Sequence, residues 1–424
     1  MKTNLFSPLK NKQFRALFSA QVVSDLGTLF DLTALFALFA YHWELGPYYL
    51  ALLSIAFGLP WVLFGPVAGV FADRLPQKLV MITSDLIRAL VVFCLVFAPN
   101  AYVVIILVAI KGFFNALFDP AKQSAIKQIV PDDMLLQANA LSQLSLNLSR
   151  VLGPSLGAIV LAISTPQTAF VLDSITFLLS AVFLLKLPKM RHSRVEEKGH
   201  EKQTMNSLQT FINELKEGLQ YVVTNKLLIF LISFNGAVFF IIFLFDSIGV
   251  LLAKSFGFSE SIYAIFSSVI GLGSIIGSII ISRLGKRINE KVLMCSSAVL
   301  LGVLITLNGV GGIGYIPPSL LFWLLIWLMI GICVAVITIC YGYLLQKTTP
   351  QHVMGRVSSI GNAIINAFIV ISPALGALIA SIIGVGGVFL IAGIAMILLG
   401  GIVSFSMRGQ QTTSISASRT KAHS

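Results

Sequence analysis

Long apolar runs recur from one end of this chain to the other, and they leave few architectures open. A helix rises about 1.5 Å per residue, so each run is long enough to cross the roughly 30 Å hydrocarbon core of a bilayer. Charged residues make up 11% of the 424 positions and hydrophobic residues 57%, whereas soluble domains carry about 25% charged residues. The sequence therefore predicts an all-helical membrane protein.

The runs divide into twelve predicted spans separated by polar loops. Their approximate bounds are 14–40, 47–71, 79–98, 102–121, 136–164, 166–186, 226–251, 261–282, 291–310, 318–345, 357–383 and 385–407. The lysines and arginines, 29 in all, then lie on the side of both termini, except for Arg88, Lys111, Arg150 and Lys254. The positive-inside rule predicts that both termini are cytoplasmic. The net charge of +12 is thus a topology signal, with membrane lipid headgroups and not nucleic acid as the expected partner.

Several classes of site and activity are disfavoured by what the sequence contains. All four cysteines lie inside apolar runs, so we expect no metal site and no disulfide framework. None of the five histidines lies in the core of a predicted span, and neither an HExxH nor a GxSxG motif occurs. An embedded enzyme is therefore disfavoured, no cofactor is expected, and a channel is disfavoured because no filter motif occurs.

Charged and amide side chains inside the spans are the candidate functional residues. Span 1 carries Asp25 and Asp31 on one polar face, and span 4 carries Lys111, Asn115 and Asp119 at i, i+4 and i+8. A charged residue at the centre of a membrane helix costs roughly 2.5–3.5 kcal/mol on insertion scales. Such residues usually face a cavity or a partner, and Lys111 lies too deep to reach the interface easily.

Three further charges, Asp85, Arg88 and Asp173, are interpreted as structural, while Arg150 is kept with Asp31, Asp25 and Lys111 as a candidate for the cavity or for proton coupling. Asp85 and Arg88, at i and i+3 in span 3, are predicted to form a local ion pair. Arg150 of span 5 could pair with Asp173 of span 6 or compete with protons for Asp31. The first is favoured because span 6 is the next span along the chain.

The two halves of the chain are related by an internal repeat. When the second half is aligned with the first at a constant offset, Pro131 aligns with Pro350 and Asn147 aligns with Asn366. The Pro154–Gly157 segment aligns with the segment that begins at Pro373. The predicted domains are a six-span bundle over 1–186, a linker with an amphipathic helix over 187–225, a second bundle over 226–408 and a disordered tail over 409–424. A parallel repeat of two six-span halves is typical of secondary transporters.

A tight charged turn joins spans 2 and 3 in the stretch Gly65–Leu79, GPVAGVFADRLPQKL, which has a weaker second copy at Ser274–Arg287. This turn resembles the G-x-x-x-D-R-x-G-R-[KR] loop of the major facilitator superfamily. The matching positions are Gly69, Asp73, Arg74 and Lys78, while Pro76 and Gln77 depart from the pattern. The resemblance implies that Asp73 faces the start of span 11 and that Arg74 or Lys78 bridges to Asp119, which latches the outward-facing state.

Other motifs narrow the resemblance. Gly153, Pro154 and Gly157 resemble part of the antiporter motif of that superfamily, although Ala158 replaces its second glycine. The bacterial branch of macrolide-efflux proteins and siderophore exporters is matched at Asp119–Ala121, Val130-Pro131, Ala138–Leu141, Phe170–Asp173, Glu217–Tyr221 and Gly355–Val357. The resemblance implies a monomeric, multi-pass protein of the bacterial cell (plasma or inner) membrane.

The resulting hypothesis is a proton-coupled antiporter that exports amphipathic small molecules by alternating access. In the resembled fold spans 1, 4, 7 and 10 line the cavity, which makes Asp31 the first candidate proton carrier and Asp25 the second. The competing interpretation is a static ion pair between Asp31 and Lys111. The possible substrate contacts are Asn115, Asn147, Asn366 and Trp327. A lipid or lysolipid flippase and a siderophore or metabolite exporter of the same fold remain alternatives.

Overall fold

A computed structural model describes residues 6–131, 134–188, 216, 219–284, 289–317, 319–350 and 353–422. Within these ranges the structure describes only the backbone at 65–74, 136, 147, 282–284, 355–356 and 403–422. Every element of regular secondary structure in the described residues is a helix, as the sequence predicted.

Six helices form the first part of the chain. They are α1 Lys12–Ala37, α2 Pro47–Arg74, α3 Gln77–Leu95, α4 Ala101–Ile129, α5 Leu135–Ile163 and α6 Pro166–Leu185. A π-helical turn, Leu38–His42, extends α1. Asparagine caps explain two of the starts, because Asn11 accepts a hydrogen bond from Gln13 N at 2.9 Å and Asn100 accepts one from Val103 N at 3.1 Å.

Six more helices follow the predicted linker. They are α7 Lys226–Asp246, α8 Gly249–Ser255, α9 Glu260–Leu284, α10 Glu290–Gly312, α11 Leu320–Thr348 and α12 Met354–Ala422. The seventh predicted span, 226–251, is divided, since α7 ends at Asp246 and the short helix α8 is separate. Most of the predicted amphipathic helix, 208–225, lies outside the described residues, and within it Lys216 and residues 219–224 are helical.

The last helix contains a break that the sequence predicted. Gly384 has φ 78° and ψ 168°, a conformation essentially restricted to glycine, and it separates two helical segments. The second segment continues to Ala422, so the tail predicted to be disordered from residue 409 is helical in the structure. No proline interrupts the sequence between Gly409 and Ala422, which leaves the helix free to continue.

Ten of the described helical stretches are long and apolar enough to cross a membrane. The stretch Val357–Ile402 is 46 residues long and includes the break at Gly384. Helix α3 is not among the ten, and it carries Lys78, Asp85 and Arg88 within its 19 residues.

The chain divides into two compact units. Unit 1 comprises Met1–Gln209, Ser247–Ser268 and Ile369–Ala377, and unit 2 comprises the remainder. The sequence had placed Ser247–Ser268 and Ile369–Ala377 in the C-terminal bundle. Inside unit 1, α1 packs against α5 and α6, α4 packs against α2 and α3, and α3 also packs against α6. This packing brings the polar faces of α1, α4 and α6 together.

Close packing in unit 2 relies on small residues. Gly277 of α9 lies against the backbone of α11, where an added Cβ would be 2.8 Å from the carbonyl oxygen of Ile332. Helices α10 and α11 also pack together. Small residues permit this close approach between membrane helices.

Candidate functional site

The centre of unit 1 holds a lysine between two aspartates from different helices. The amine Nζ of Lys111 on α4 donates to Oδ2 of Asp31 on α1 at 2.5 Å and to Oδ2 of Asp173 on α6 at 3.2 Å. The three residues are 2%, 1% and 0% exposed. We call these three residues the triad. Water is excluded from all of its charges, so their interactions are stronger than those of surface ion pairs.

Small residues shape the space around the triad. Gly27 on α1 faces Asp173, because a Cβ at position 27 would overlap Asp173 Oδ1 and Thr176 Oγ1. Oδ1 of Asp173 accepts a hydrogen bond from Thr176 Oγ1 at 2.9 Å. Oδ2 of Asp173 thus has Lys111 as its donor, whereas Oδ1 shares the single Thr176 hydroxyl proton with the Asp173 carbonyl oxygen, 2.8 Å from the same hydroxyl.

Two glycines of α5 bring α1 close on its other side. A Cβ on Gly153 would lie 2.7 Å from Leu29 Cβ, and one on Gly157 would lie 3.3 Å from the Phe30 carbonyl oxygen. Leu29 and Phe30 directly precede Asp31, so the glycines of the motif at 153–157 position the part of α1 that carries the triad aspartate. Pro154 lies inside α5 without ending the helix.

A second buried ion pair lies next to the triad. Arg88 and Asp85 of α3 pair as predicted, and Arg88 Nη1 donates to Asn115 Oδ1 at 2.7 Å. Asp85 Oδ2 also accepts from Ser180 Oγ at 2.6 Å. We call Asp85, Arg88 and Asn115 the arginine cluster. Asn115, predicted to contact substrate, is 8% exposed and bonded inside this cluster, because its amide lies one turn from Lys111 on the face of α4 that meets α3.

One aromatic ring contacts both groups. The guanidinium carbon of Arg88 is 4.6 Å from the ring centroid of Phe177, and Lys111 Nζ is 5.4 Å from the same centroid. The centroid of the Phe118 ring lies 4.4 Å from the same guanidinium carbon. Both cations thus gain cation–π contacts in a site that water does not reach.

The buried charges do not balance. The triad and the arginine cluster together contain three carboxyl groups, those of Asp31, Asp85 and Asp173, and two cations, Lys111 and Arg88. Within the arginine cluster the charges are matched one to one, so the surplus negative charge belongs to the triad. Burying an uncompensated charge costs several kcal/mol per ion in proteins. One bound proton would remove that surplus.

Asp25, the second candidate proton carrier, has neutral hydrogen-bond partners. Its Oδ2 accepts hydrogen bonds from Gln21 Nε2 at 3.1 Å and from Ser145 Oγ at 2.9 Å. Ser145 lies on α5, so this group joins α1 to α5 and is separate from the triad. Asp25 is also less deeply buried than Asp31.

The predicted pair between Arg150 and Asp173 is wrong. Asp173 is bonded to Lys111 and Thr176, whereas Arg150 is exposed and forms no ion pair with any described residue. Helix α6 packs mainly against α1 and α3, while Arg150 lies on α5. Adjacency in sequence therefore suggested the wrong partner.

The predicted latch is replaced by other contacts where its side chains are described. The amine of Lys78 donates to the carbonyl oxygens of Leu185, at 2.7 Å, and of Leu187, so it binds the C-terminal end of α6, a favourable position for a cation. Asp119 pairs with Lys122 at 2.8 Å, one turn along its own helix. Side-chain contacts at Gly69, Asp73 and Arg74 lie outside the description, and a role for these residues in a latch stays a prediction.

Two of the remaining candidate contacts lie in unit 2. Asn366 is half-buried on α12, and Trp327 on α11 is 9% exposed. The side chain of Asn147, on α5 of unit 1, is outside the description.

Sequence reasoning missed a polar group where the Ser247–Ser268 segment meets the end of α1. His42 Nε2 lies 2.9 Å from Glu260 Oε2, Tyr41 Oη donates to the Phe258 carbonyl oxygen at 2.9 Å, and Lys254 Nζ donates to the Ala40 carbonyl oxygen at 2.8 Å. The partners are 214 to 218 residues apart in the chain, so no local pattern could have revealed them. These contacts explain why the segment belongs to unit 1.

Comparison with known proteins agrees with this architecture. The family model described as Major Facilitator Superfamily matches residues 17–364 and 247–422. The chain is 28% identical to the MFS-type transporter YfiS of Bacillus subtilis, over 92% of each chain. It is 24% identical to macrolide efflux protein A of Streptococcus pyogenes, over 82% of this chain and 84% of that one.

A solved structure shows the same fold. The nucleoside transporter NupG superposes with a TM-score of 0.65 at 15% identity, over 95% of this chain and 98% of that one. The family model spans nearly the whole sequence, and the helices, the buried charges and the solved relative are consistent with it, so this chain belongs to the Major Facilitator Superfamily and is a transporter.

Proposed function

We propose that this transporter exports amphipathic small molecules in exchange for protons, by alternating access. The observation that carries the proposal is the triad, in which one ammonium group faces two carboxyl groups and every member is at most 2% exposed. Two carboxylates in contact with the same amine repel each other by a few kcal/mol at an effective dielectric constant of about 20. Binding one proton relieves that repulsion.

Alternating access would make proton binding depend on conformation. A carboxyl group sealed from water favours its neutral form, and the same group opened to water ionises more readily. A conformational change that wets the triad would therefore release the proton on one side of the membrane. A potential of 100 mV adds about 2.3 kcal/mol for each charge that crosses the membrane.

The substrate class rests on two considerations. Two bacterial relatives carry the name macrolide efflux protein A, and another is named as a multidrug efflux pump. The spans of the second half are apolar and almost free of charge, which suits an amphipathic compound better than a sugar or a phosphate. Asn366 and Trp327 are the described candidates for contact with such a compound, while Asn115 is engaged by Arg88.

The membrane topology belongs to the same proposal. The ten stretches become twelve crossings when α3 is counted as a span and Val357–Ile402 is counted as two spans that meet at Gly384. With twelve crossings, both termini are cytoplasmic. We expect a monomer in the bacterial cell membrane, with anionic lipid headgroups at its basic cytoplasmic side.

The test is transport into inverted membrane vesicles. A strain that lacks the gene is first screened for sensitivity to a compound panel that includes macrolides, and the compound with the largest effect is used as substrate. We expect an imposed pH gradient to drive uptake in the wild type and not in Asp31→Asn. The control is Asp246→Asn, which changes an acid at the end of α7 outside the triad and should retain uptake. Unchanged uptake driven by the pH gradient in Asp31→Asn would remove Asp31 from the coupling mechanism.

A further inference from the structure

The position of Asp173 gives it a role that the sequence did not suggest. We propose that Asp31 and Asp173 share a single proton beside Lys111, so that Asp173 is a proton-binding residue and not only a support for the lysine. The significance of this site for transport depends on the proposed proton coupling, but the proton itself can be detected without transport.

Both acids contact the amine of Lys111, Asp31 more closely than Asp173. Each presents its Oδ2 to the same amine, at 2.5 Å for Asp31 and 3.2 Å for Asp173. One ammonium neutralises one carboxylate, so the other is left either charged in a dry site or protonated. Because both carboxyl groups contact one amine, their titrations are coupled, and the proton belongs to the pair and is not assigned to either residue alone.

The neighbouring charges do not supply the missing positive charge. On α3, Arg88 is paired with Asp85 and bonded to Asn115. On α4, Lys122 is paired with Asp119.

The other helices near the triad add no cation among the described residues. On α1, Asp25 is bonded to Gln21 and Ser145, and on α5, Arg150 is exposed and no ion pair joins it to the triad. Helix α2 packs on α4 through apolar contacts near Gly112, such as Pro60. The surplus negative charge therefore stays with Asp31 and Asp173.

The local packing fits a site built for both acids. Gly27 leaves room for Oδ1 of Asp173 beside α1, and Thr176 donates to that oxygen at 2.9 Å. Asp173 is thus held toward Lys111 by its own helix. In the proposed step, opening of the triad lets the shared proton leave to water, and both carboxylates then remain on Lys111. Closing reverses the transfer with a proton taken from water.

Infrared difference spectroscopy of the full-length protein in lipid vesicles tests this directly, with no substrate and no gradient. A pH titration of the wild type should show the carbonyl band of one protonated carboxyl group. That band should be lost in Asp31→Asn and equally in Asp173→Asn, because the remaining acid is then matched one to one with Lys111. It should persist in Asp25→Asn, the matched control on the same face of α1.

A second variant separates binding of the proton from folding. Asp173→Glu keeps the carboxyl group, so the band should return with a changed position and a changed titration midpoint. Persistence of the wild-type band in Asp173→Asn, or an unaltered band and midpoint in Asp173→Glu, would overturn the proposal and leave Asp173 as a structural partner. If the band behaves as expected but pH gradients do not drive transport, the shared proton stands and the proposed coupling fails.

Discussion

At the scale of single residues, Lys111 is the group on which the buried charges of unit 1 depend. It is 2% exposed and contacts Asp31 and Asp173, which lie on two other helices. Replacing a buried pair with apolar residues can be harmless, but removing only one partner leaves uncompensated charge. Lys111 is therefore the residue of the triad whose loss is most damaging.

We expect Lys111→Met to destabilise the protein strongly, by about 3–5 kcal/mol, because two buried carboxyl groups then lack a cation. The control is Lys254→Met, which removes a lysine with a 36% exposed side chain paired with the exposed Glu44 and should cost about 1 kcal/mol or less. The apparent Tm of each variant in detergent measures its loss of stability. Adding Asp31→Asn to Lys111→Met should recover part of the loss, and equal Tm values for the two lysine variants would contradict this account.

The sequence indicated these residues but not all of their partners. Helical periodicity identified the polar faces of α1 and α4, and it suggested both the Asp85–Arg88 pair and a contact between Asp31 and Lys111. It could not show which helix each face meets. Asp173 was therefore assigned to Arg150, its neighbour along the chain, although packing of α6 on α1 brings it to Lys111.

At the scale of helices, the glycines of α5 fix the distance between α5 and α1. Gly153 and Gly157 approach the backbone of α1 at Leu29 and Phe30, just before Asp31. The sequence identified this segment through a family motif, and the structure adds a physical reason for small residues at these positions. Close contact between membrane helices requires side chains that do not separate the backbones.

We expect Gly153→Ala to lower the apparent Tm, because its Cβ would lie 2.7 Å from Leu29 Cβ and force α1 away from α5. Overpacking of this kind costs about 1–3 kcal/mol. Gly342→Ala on α11 is the control, since nothing lies within 4 Å of its added Cβ, and it should be neutral or gain up to about 1 kcal/mol from helix propensity. A Gly153→Ala protein as stable as the Gly342→Ala protein would show that the contact is not tight.

The sequence predicted one helix boundary correctly and missed another. The break at Gly384 was placed correctly because two apolar runs meet at a glycine-rich position, and the structure shows φ 78° there. The end of α7 at Asp246 was missed, because hydrophobic residues continue into α8 and hide the boundary. Hydropathy shows where a chain is apolar, but a helix can end inside an apolar stretch without any change in composition.

At the scale of the whole molecule, the sequence determined the class of fold well. Repeated apolar runs, the internal repeat and the distribution of lysine and arginine predicted a multi-span transporter, and the family match confirms the transporter class. The grouping of Ser247–Ser268 with unit 1 was not predictable, since it depends on contacts such as that of His42 with Glu260, which are far apart in the sequence.

Reporter fusions test the twelve-span topology. We expect alkaline phosphatase to be active when fused after Asn100 and after Gly384, both of which would lie outside the cytoplasm. Green fluorescent protein should fluoresce when fused after Ser424, and exchanging the two reporters at each point should give the opposite signals. Phosphatase activity at Ser424 would mean that Val357–Ile402 crosses the membrane once, and fluorescence at Asn100 would mean that α3 does not cross.

The spacing of the triad along the chain has a consequence for how the protein is made. Lys111 follows Asp31 by 80 residues and precedes Asp173 by 62, and synthesis proceeds from the N-terminus. When α4 enters the membrane, its lysine finds one acid already in place, and that match offsets part of the roughly 2.5–3.5 kcal/mol that a central lysine costs on insertion. The second acid arrives only with α6, so the nascent chain carries a balanced pair until the last helix of the site is inserted.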